Sequence, residues 1–391
     1  MIMTDIVLGI DAGTSGVRIA ATDATNALIA LATAPIAAPL QSGIRILQDP
    51  AIWWDAVEAA LKSLDVKDHR VRAIAIDGTS GTILPVTADG TPAGLASMYN
   101  DVSEAADLAM VAAVAPRETA ALGATSPLAR ALAMRGAGLR IIHQADWIAG
   151  KFSGRFDVSD ENNALKSGYD PITRRWPEWI AKIGFDPAIF PSVVPAGTRT
   201  GKILPGIAAK FGLPEDTIIV AGTTDGCASF LASGASDPGD GVTALGTTLT
   251  IKLLSAKPVF APDFGIYSHR IGEQWLAGGA SNTGGAVIAK YFSKGNLARL
   301  TPLLDADHPV GLDFYPLTQP GERFPINDPA LAPRLEPRPA MTECSFRRSL
   351  KAFRRSKQEP TPSSPSSALR RWPRSARQAE VLPMRPGRRC G

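Results

Sequence analysis

The sequence predicts an α/β protein of two domains, and three observations carry that expectation. Short apolar runs of strand character alternate with segments of helical spacing. Polar, glycine-containing turns follow strands in each half, Gly13-Thr14-Ser15-Gly16 in the first and Gly246-Thr247-Thr248 in the second. At 391 residues, 45% hydrophobic and 20% charged, the chain is long enough and apolar enough for two cores of ordinary size.

Ile6-Val7-Leu8-Gly9-Ile10-Asp11 is an apolar run that ends on Asp11 and enters the first turn. Residues 17–23 resume as a neighbouring strand and residues 28–33 as a third. A helix starts after Asp49-Pro50, with Trp53, Trp54, Val57 and Leu61 at helical spacing. Residues 71–77 form another strand that enters the polar turn Gly78-Thr79-Ser80-Gly81, and residues 82–86 leave it. From about 101 to 215 the patterns are mostly helical, broken by loops rich in Gly, Pro and Asn. A second cycle begins near residue 217, with a strand over 217–221, the turn Gly222-Thr223-Thr224-Asp225-Gly226 and a helix of small residues over 227–234. Residues 241–245 and 249–254 read as a hairpin about Gly246-Thr247-Thr248. Strands are expected near 265–269 and 274–277, and a helix after Ser281-Asn282. The expected division is a first domain over 1–216, a second over 217–340 and a tail over 341–391.

The tail differs in kind. It holds 13 Lys and Arg against 3 Asp and Glu, whereas residues 1–340 hold 28 against 34. A pI near 9.0 therefore belongs to the last fifty residues, and a nucleic-acid partner is not expected. Its Pro, Ser and Arg composition has neither helical nor strand period, so it cannot bury enough apolar surface to offset ordering. A basic disordered tail and a shifted reading frame both fit; the frame shift is preferred because the second domain still lacks elements at residue 340. Residues 1–5 lack a secretory pattern, and no run of 18 apolar residues appears, so no membrane partner is expected. Three cysteines cannot make a disulfide framework, which suits a cytoplasmic location.

Turns of Gly, Ser and Thr can cradle phosphates, since small residues let backbone N–H groups approach the oxygens and hydroxyls add donors. Gly13-Thr14-Ser15-Gly16 and Gly246-Thr247-Thr248 both fit, and neither matches the dinucleotide fingerprint or the P-loop. Asp11 could hold Mg²⁺ through water, or could be a cap. Asp225 could cap the helix that follows it, or could accept a proton from a substrate hydroxyl. Ser80 is by default a turn residue. His69, His143, His269 and His308 are scattered and make no metal set with Cys227. Trp53, Trp54, Trp147 and Trp176 read as packing residues.

Leu8-Gly9-Ile10-Asp11-Ala12-Gly13-Thr14-Ser15-Gly16-Val17-Arg18 resembles the opening phosphate loop of the FGGY carbohydrate kinases. Ala221-Gly222-Thr223-Thr224-Asp225 is similar to that family's catalytic-base motif. Thr243-Ala244-Leu245-Gly246-Thr247-Thr248 is similar to its second phosphate loop. The resemblance, in order over nearly all of 1–340, implies two actin-like ATPase (ribonuclease H-like) domains flanking a cleft, with ATP and Mg²⁺ as cofactors. It implies that Asp11, Ser15, Ser80 and Asp225 contact a ketose, with Asp225 the general base. Gly13, Thr14, Gly246 and Thr247 would face the ATP phosphates. Within the family, Ile74-Ala75-Ile76-Asp77-Gly78-Thr79-Ser80-Gly81-Thr82, Gln144-Ala145-Asp146-Trp147, Asn163-Ala164-Leu165-Lys166-Ser167-Gly168-Tyr169 and Gly321-Glu322-Arg323-Phe324-Pro325-Ile326 look most like the D-ribulose kinases. A kinase for D-xylulose or a pentitol, and an inactive relic, are the alternatives. Nothing in 341–391 resembles the family's adenosine segment, so an incomplete second domain and weak ATP binding are expected.

Overall fold

The first apolar run is realised as a strand with one covered face. A computed structural model describes residues 3–246, 248–303 and 314–335. The expected tail, residues 341–391, and Thr247 fall outside the described residues.

In chain order, β1 (Thr4–Ala12), β2 (Gly16–Asp23) and β3 (Leu28–Pro35) form an antiparallel meander, and β4 (Leu40–Ser42) and β5 (Arg45–Gln48) form a hairpin. Helix α1 (Ala51–Ser63) leads to β6 (His69–Gly78), which pairs parallel with β1. β7 (Ile83–Val86), β8 (Ala96–Ser97), α2 (Ala105–Ala112), α3 (Pro127–Leu132), β9 (Arg140–His143) and α4 (Gln144–Ser153) follow. Next come β10 (Val158–Asp160), α5 (Glu161–Ala164), β11 (Ser192–Val194), β12 (Arg199–Lys202) and α6 (Pro205–Phe211). β13 (Ile218–Thr224) and α7 (Asp225–Leu231) complete this series.

The main sheet has the order β12-β13-β6-β1-β2-β3, with β13, β6 and β1 mutually parallel at its centre. Ile6, Leu8, Ile10 and Ala12 are buried while Val7 is 43% exposed, so core and open faces alternate along β1. The covered face receives α1 and α4, whose Trp53, Trp54, Trp147 and Phe152 join the same core as Ile6 and Leu8. Burying each such side chain contributes about 1.5–3 kcal/mol. Trp53 also donates its Nε1–H to Gln48 Oε1 and Trp147 donates its own to Gly90 O, which satisfies their polar ends. The four tryptophans expected to pack do so; Trp176 stacks on Phe190 with centroids 4.6 Å apart. A second sheet, β4-β5-β8-β7-β9, has its own cluster around Ile83, Leu128, Leu132, Ile180 and Phe190.

The described residues divide into two compact units, one made of residues up to 232 together with 269–273, the other of the described residues of 233–268 and those from 274 on. The sequence reading placed the boundary at 216/217. The difference arises because β13, read as the first strand of the second half, is hydrogen-bonded to β6 in the sheet of the first unit.

Among the described residues, the second unit carries β14 (Gly241–Leu245), β15 (Leu249–Ser255), β16 (Tyr267–Ile271, partly counted with the first unit) and β17 (Gln274–Ser281). These strands are ordered β14-β15-β17-β16. Helices α8 (Gly285–Tyr291) and α9 (Lys294–Leu300) pack through Ile288, Phe292 and Leu300 onto Leu249. Buried Glu322 ties this unit together, accepting from Ser281 Oγ at 2.6 Å, Asn282 N at 2.8 Å and Tyr315 OH at 2.8 Å.

Candidate active site

Three acidic residues meet where the central parallel strands of the first unit end. Register places Asp11 on β1 directly opposite Asp77 on β6, and Thr223 on β13 opposite Asp77 on its other side. Residues paired across neighbouring strands share a face. Because Ile10 and Ile76 point into the core, Asp11 and Asp77 both project from the open face. Asp225 follows one residue after β13.

Each acid has a different environment. Asp11 Oδ2 accepts from Arg18 Nη1 at 2.8 Å, the residue opposite it on β2, so Asp11 is an ion-pair partner and not a cap. Asp77 is pushed up to about 8 by burial first, then by the charges of Asp11 and Asp225 and by a hydrogen bond with Asp11. It therefore holds a proton near neutral pH, and its buried Oδ1 has no hydrogen-bond partner among the described residues. Asp225 is exposed and accepts from Gly226 N at 2.7 Å. The capping role considered for Asp225 is filled by Thr224, whose Oγ1 accepts from Cys227 N.

β13 approaches β6 too closely for any side chain at Gly222. A Cβ there would lie 1.7 Å from Ile76 O, at a register shift between Val220 and Thr223. Gly222 thus serves strand packing. Asn162 and Asn163, at the start of α5, brace the same strand end: Asn162 Nδ2 donates to Thr223 Oγ1 at 3.0 Å and Asn163 Nδ2 to Thr223 O at 3.1 Å. The buried carboxylate of Asp160 in turn accepts from the backbone N–H groups of both.

The turn after β6 is held from several sides. Gln144 Oε1 accepts from Thr79 N at 3.0 Å and Thr79 Oγ1 at 2.8 Å. Gly81 takes φ +95°, and Arg130, itself buried, donates to Gly81 O at 2.6 Å. Lys166 Nζ donates to Ser80 O at 3.3 Å. The hydroxyl of Ser80, in contrast, is buried and has no partner among the described residues. This hydroxyl and, three residues earlier, the Asp77 Oδ1 are left unsatisfied among the described residues, as atoms awaiting a polar ligand are.

The first turn of the chain closes by Gly13 N donating to Gly16 O at 3.1 Å, leaving Thr14 half-buried and Ser15 exposed. Asp11, Gly13, Thr14, Ser15, Ser80 and Asp225 all lie in the first unit, at the β1–β2 turn and the ends of β6 and β13. In the second unit Gly246 sits in the β14–β15 turn, and its carbonyl accepts from Gly285 N at 2.6 Å. Asp77, Gln144, Arg130, Asn162 and Asn163 had no assigned role in the sequence reading. The orphaned Oδ1 of Asp77 and the ladder register reveal the first; only long-range hydrogen bonds reveal the others.

No group of three or more His, Cys, Asp or Glu suited to a metal occurs among the described residues. Asp11 with Asp77 beside it fits Mg²⁺ only in the manner of an ion that keeps most of its waters and takes one or two carboxylates. No helix among the described residues is long and apolar enough to cross a membrane.

Comparison with known proteins places this geometry in context. Residues 131–232 match the N-terminal domain of the FGGY family of carbohydrate kinases. The xylulose kinase of Streptomyces coelicolor is 27% identical over 271 residues, which cover 64% of this chain and 55% of that protein. The ribulokinase of Halalkalibacterium halodurans is 25% identical over 241 residues, covering 52% and 42% respectively. The chain thus spans about half the length of the curated relatives it matches. The crystal structure of a xylulose kinase from Brucella ovis superposes with TM-score 0.78 at 22% identity, over 90% of this chain and 78% of that one. The resemblance to FGGY carbohydrate kinases is borne out by these matches, and the α/β fold is that of the solved sugar kinase structure.

Proposed function

We propose that the chain transfers the γ-phosphoryl group of ATP to a hydroxyl of a ketopentose, with Asp225 as the general base. The observation that carries this reading is the meeting of Asp11, Asp77 and exposed Asp225 at the carboxyl ends of three parallel strands. Such strand ends are where α/β sheets bind ligands.

In this reading the sugar lies against Asp11, Ser15, Ser80 and Asp225. Its attacking hydroxyl gives its proton to Asp225 as the oxygen bonds to the γ-phosphorus and ADP departs with the electrons of the broken P–O bond. An acceptor in this role needs no raised basicity, because the proton leaves late in a loose transition state. Asp77, neutral near pH 7, relieves the repulsion that three carboxylates would exert on an incoming polyphosphate. Gly13 and Thr14 would meet the phosphates through N–H and hydroxyl donors. On the second unit, Gly246 and Thr247 are assigned to phosphate binding by family resemblance. Mg²⁺, held through water by Asp11, would neutralise phosphate charge.

D-ribulose is the proposed substrate, supported by the segments around Ser80, Gln144, Lys166 and Glu322 that resemble D-ribulose kinases. D-xylulose is the second reading, supported by the relatives that carry the name xylulose kinase. ADP release measured over D-ribulose, D-xylulose, L-ribulose, ribitol and xylitol tests the choice. A kcat/KM for D-ribulose at least tenfold above the others is expected; a preference for D-xylulose overturns it.

A further inference from the structure

The strand that delivers Asp225 breaks its ladder just before it does so. β13 pairs with β6 from Ile218 to Val220 and resumes only at Thr223, opposite Asp77, so three steps along β13 meet two along β6. The extra residue is a β-bulge, which re-aims the side chains beyond it and leaves Ala221 and Gly222 unpaired with β6. Ladder hydrogen bonds alone therefore do not fix where the end of the strand points.

Two buried amides take over that task. Asn163 Nδ2 donates to Thr223 O at 3.1 Å and to Asp160 Oδ2 at 2.6 Å. Asn162 Nδ2 donates to Thr223 Oγ1 at 3.0 Å and to Arg270 O at 2.9 Å, and Asn162 Oδ1 accepts from Arg270 N at 2.9 Å. Residue 270 belongs to the stretch 269–273 of the first unit, so the arrangement lies within that unit. Each amide proton of the two side chains has an acceptor, which fixes the orientation of both amides. Asp160, itself buried, anchors their main chain by accepting from Asn162 N at 2.8 Å and Asn163 N at 3.0 Å. The clamp closes on the carbonyl and the hydroxyl of one residue, Thr223, which lies between the bulge and the helix cap Thr224, two residues before Asp225.

We propose that Asn162 and Asn163 are positioning residues for phosphoryl transfer: by clamping Thr223 they hold the Asp225 carboxylate where it meets the attacking hydroxyl. The assignment rests on the kinase reading above and adds to it how the base is held. A general base must stand within about 2.6–3.2 Å of the atom whose proton it takes, and a misplacement of about 1 Å can cost about a hundredfold in rate.

The test uses the full chain with Asn163→Ala and Thr223→Val, each alone and combined with Asp225→Asn. Steady-state kinetics with D-ribulose, D-xylulose and ATP are read beside urea denaturation. Thr223→Val keeps the shape of the side chain and removes the hydroxyl that Asn162 holds, so it decides the matter where Asn163→Ala does not fold. Asn163→Ala is expected to lower kcat about tenfold to a hundredfold and Thr223→Val about threefold to tenfold, with the KM for ketose and for ATP within about threefold of wild type. In the Asp225→Asn background no base remains to be aimed, and the same changes should cost less than about twofold in kcat. Folded variants with wild-type kcat, or losses of equal size in the two backgrounds, overturn the assignment and leave the amides a brace of the fold. A wild-type chain that turns over neither ketose, or an Asp225→Asn variant with wild-type kcat, overturns the kinase reading itself, and this assignment with it.

Discussion

Replacing Asp77 by Asn should make the chain progressively more stable than the wild type as pH rises. Asp77 ionises near 3.8 in an unfolded chain but only at about 8 in the fold, because burial and the neighbouring Asp11 and Asp225 disfavour its charge. Between those values the folded chain holds a proton that the unfolded chain has released. Stability is therefore fully present below pH 4 and is lost as pH rises through about 8. Conversion of the interval from 3.8 to about 8 gives a total on the order of 5 kcal/mol, of which roughly 3–4 kcal/mol falls between pH 5 and pH 8. Asn keeps the shape and has no proton to lose, so the difference between variant and wild type isolates this one group. Urea denaturation of both proteins at pH 5, 6.5 and 8, in buffer with a chelator so that no cation masks the charge, reads it directly. The stability gap should widen by roughly 3–4 kcal/mol in favour of Asp77→Asn across that range. A gap constant to within about 1 kcal/mol would refute the claim that three acids crowd the strand ends.

Other expectations follow from the same geometry. Asp225→Asn should lower kcat by about 10²–10⁴-fold while changing the ketose KM by only a few fold, as expected for a lost general base; a variant retaining a tenth of wild-type kcat would remove Asp225 from that role. Gly222→Ala would place a Cβ 1.7 Å from Ile76 O, a clash that backbone atoms cannot relieve without separating β13 from β6. About 3 kcal/mol or more of stability should be lost, seen as a fall of roughly 6–12 °C in the thermal midpoint. An unchanged midpoint would show that the strands part easily there. Arg130→Met should cost about 3 kcal/mol or more, because Ser97 O, Met98 O and Gly81 O would lose their donor. Denaturant titration that finds less than about 1 kcal/mol would mean that water replaces the guanidinium.

The sequence by itself determined the local events of this fold. The apolar run ending on Asp11 marked the strand β1, and the helical spacing of Trp53, Trp54, Val57 and Leu61 set the buried face of α1. The turns at Gly13, Ser80 and Gly246 and the aspartates that follow strands were likewise legible, since each is a matter of a few neighbouring residues. What the periodicity could not carry was which strand lies beside which. β13 reads as the opening of a second half, yet parallel pairing with β6 puts it, and Asp225 behind it, in the first unit. Only that pairing, between segments some 140 residues apart, sets Asp77 between Asp11 and Asp225 and changes it from one more strand residue into a buried acid that keeps its proton. The Ser80 turn is the same kind of case. Its glycines announced a turn, but its rigidity comes from Gln144, Arg130 and Lys166, 49 to 86 residues away. Local pattern reports the face a residue presents. Long-range pairing decides what that face meets, and the chemistry of this site is set by the meeting.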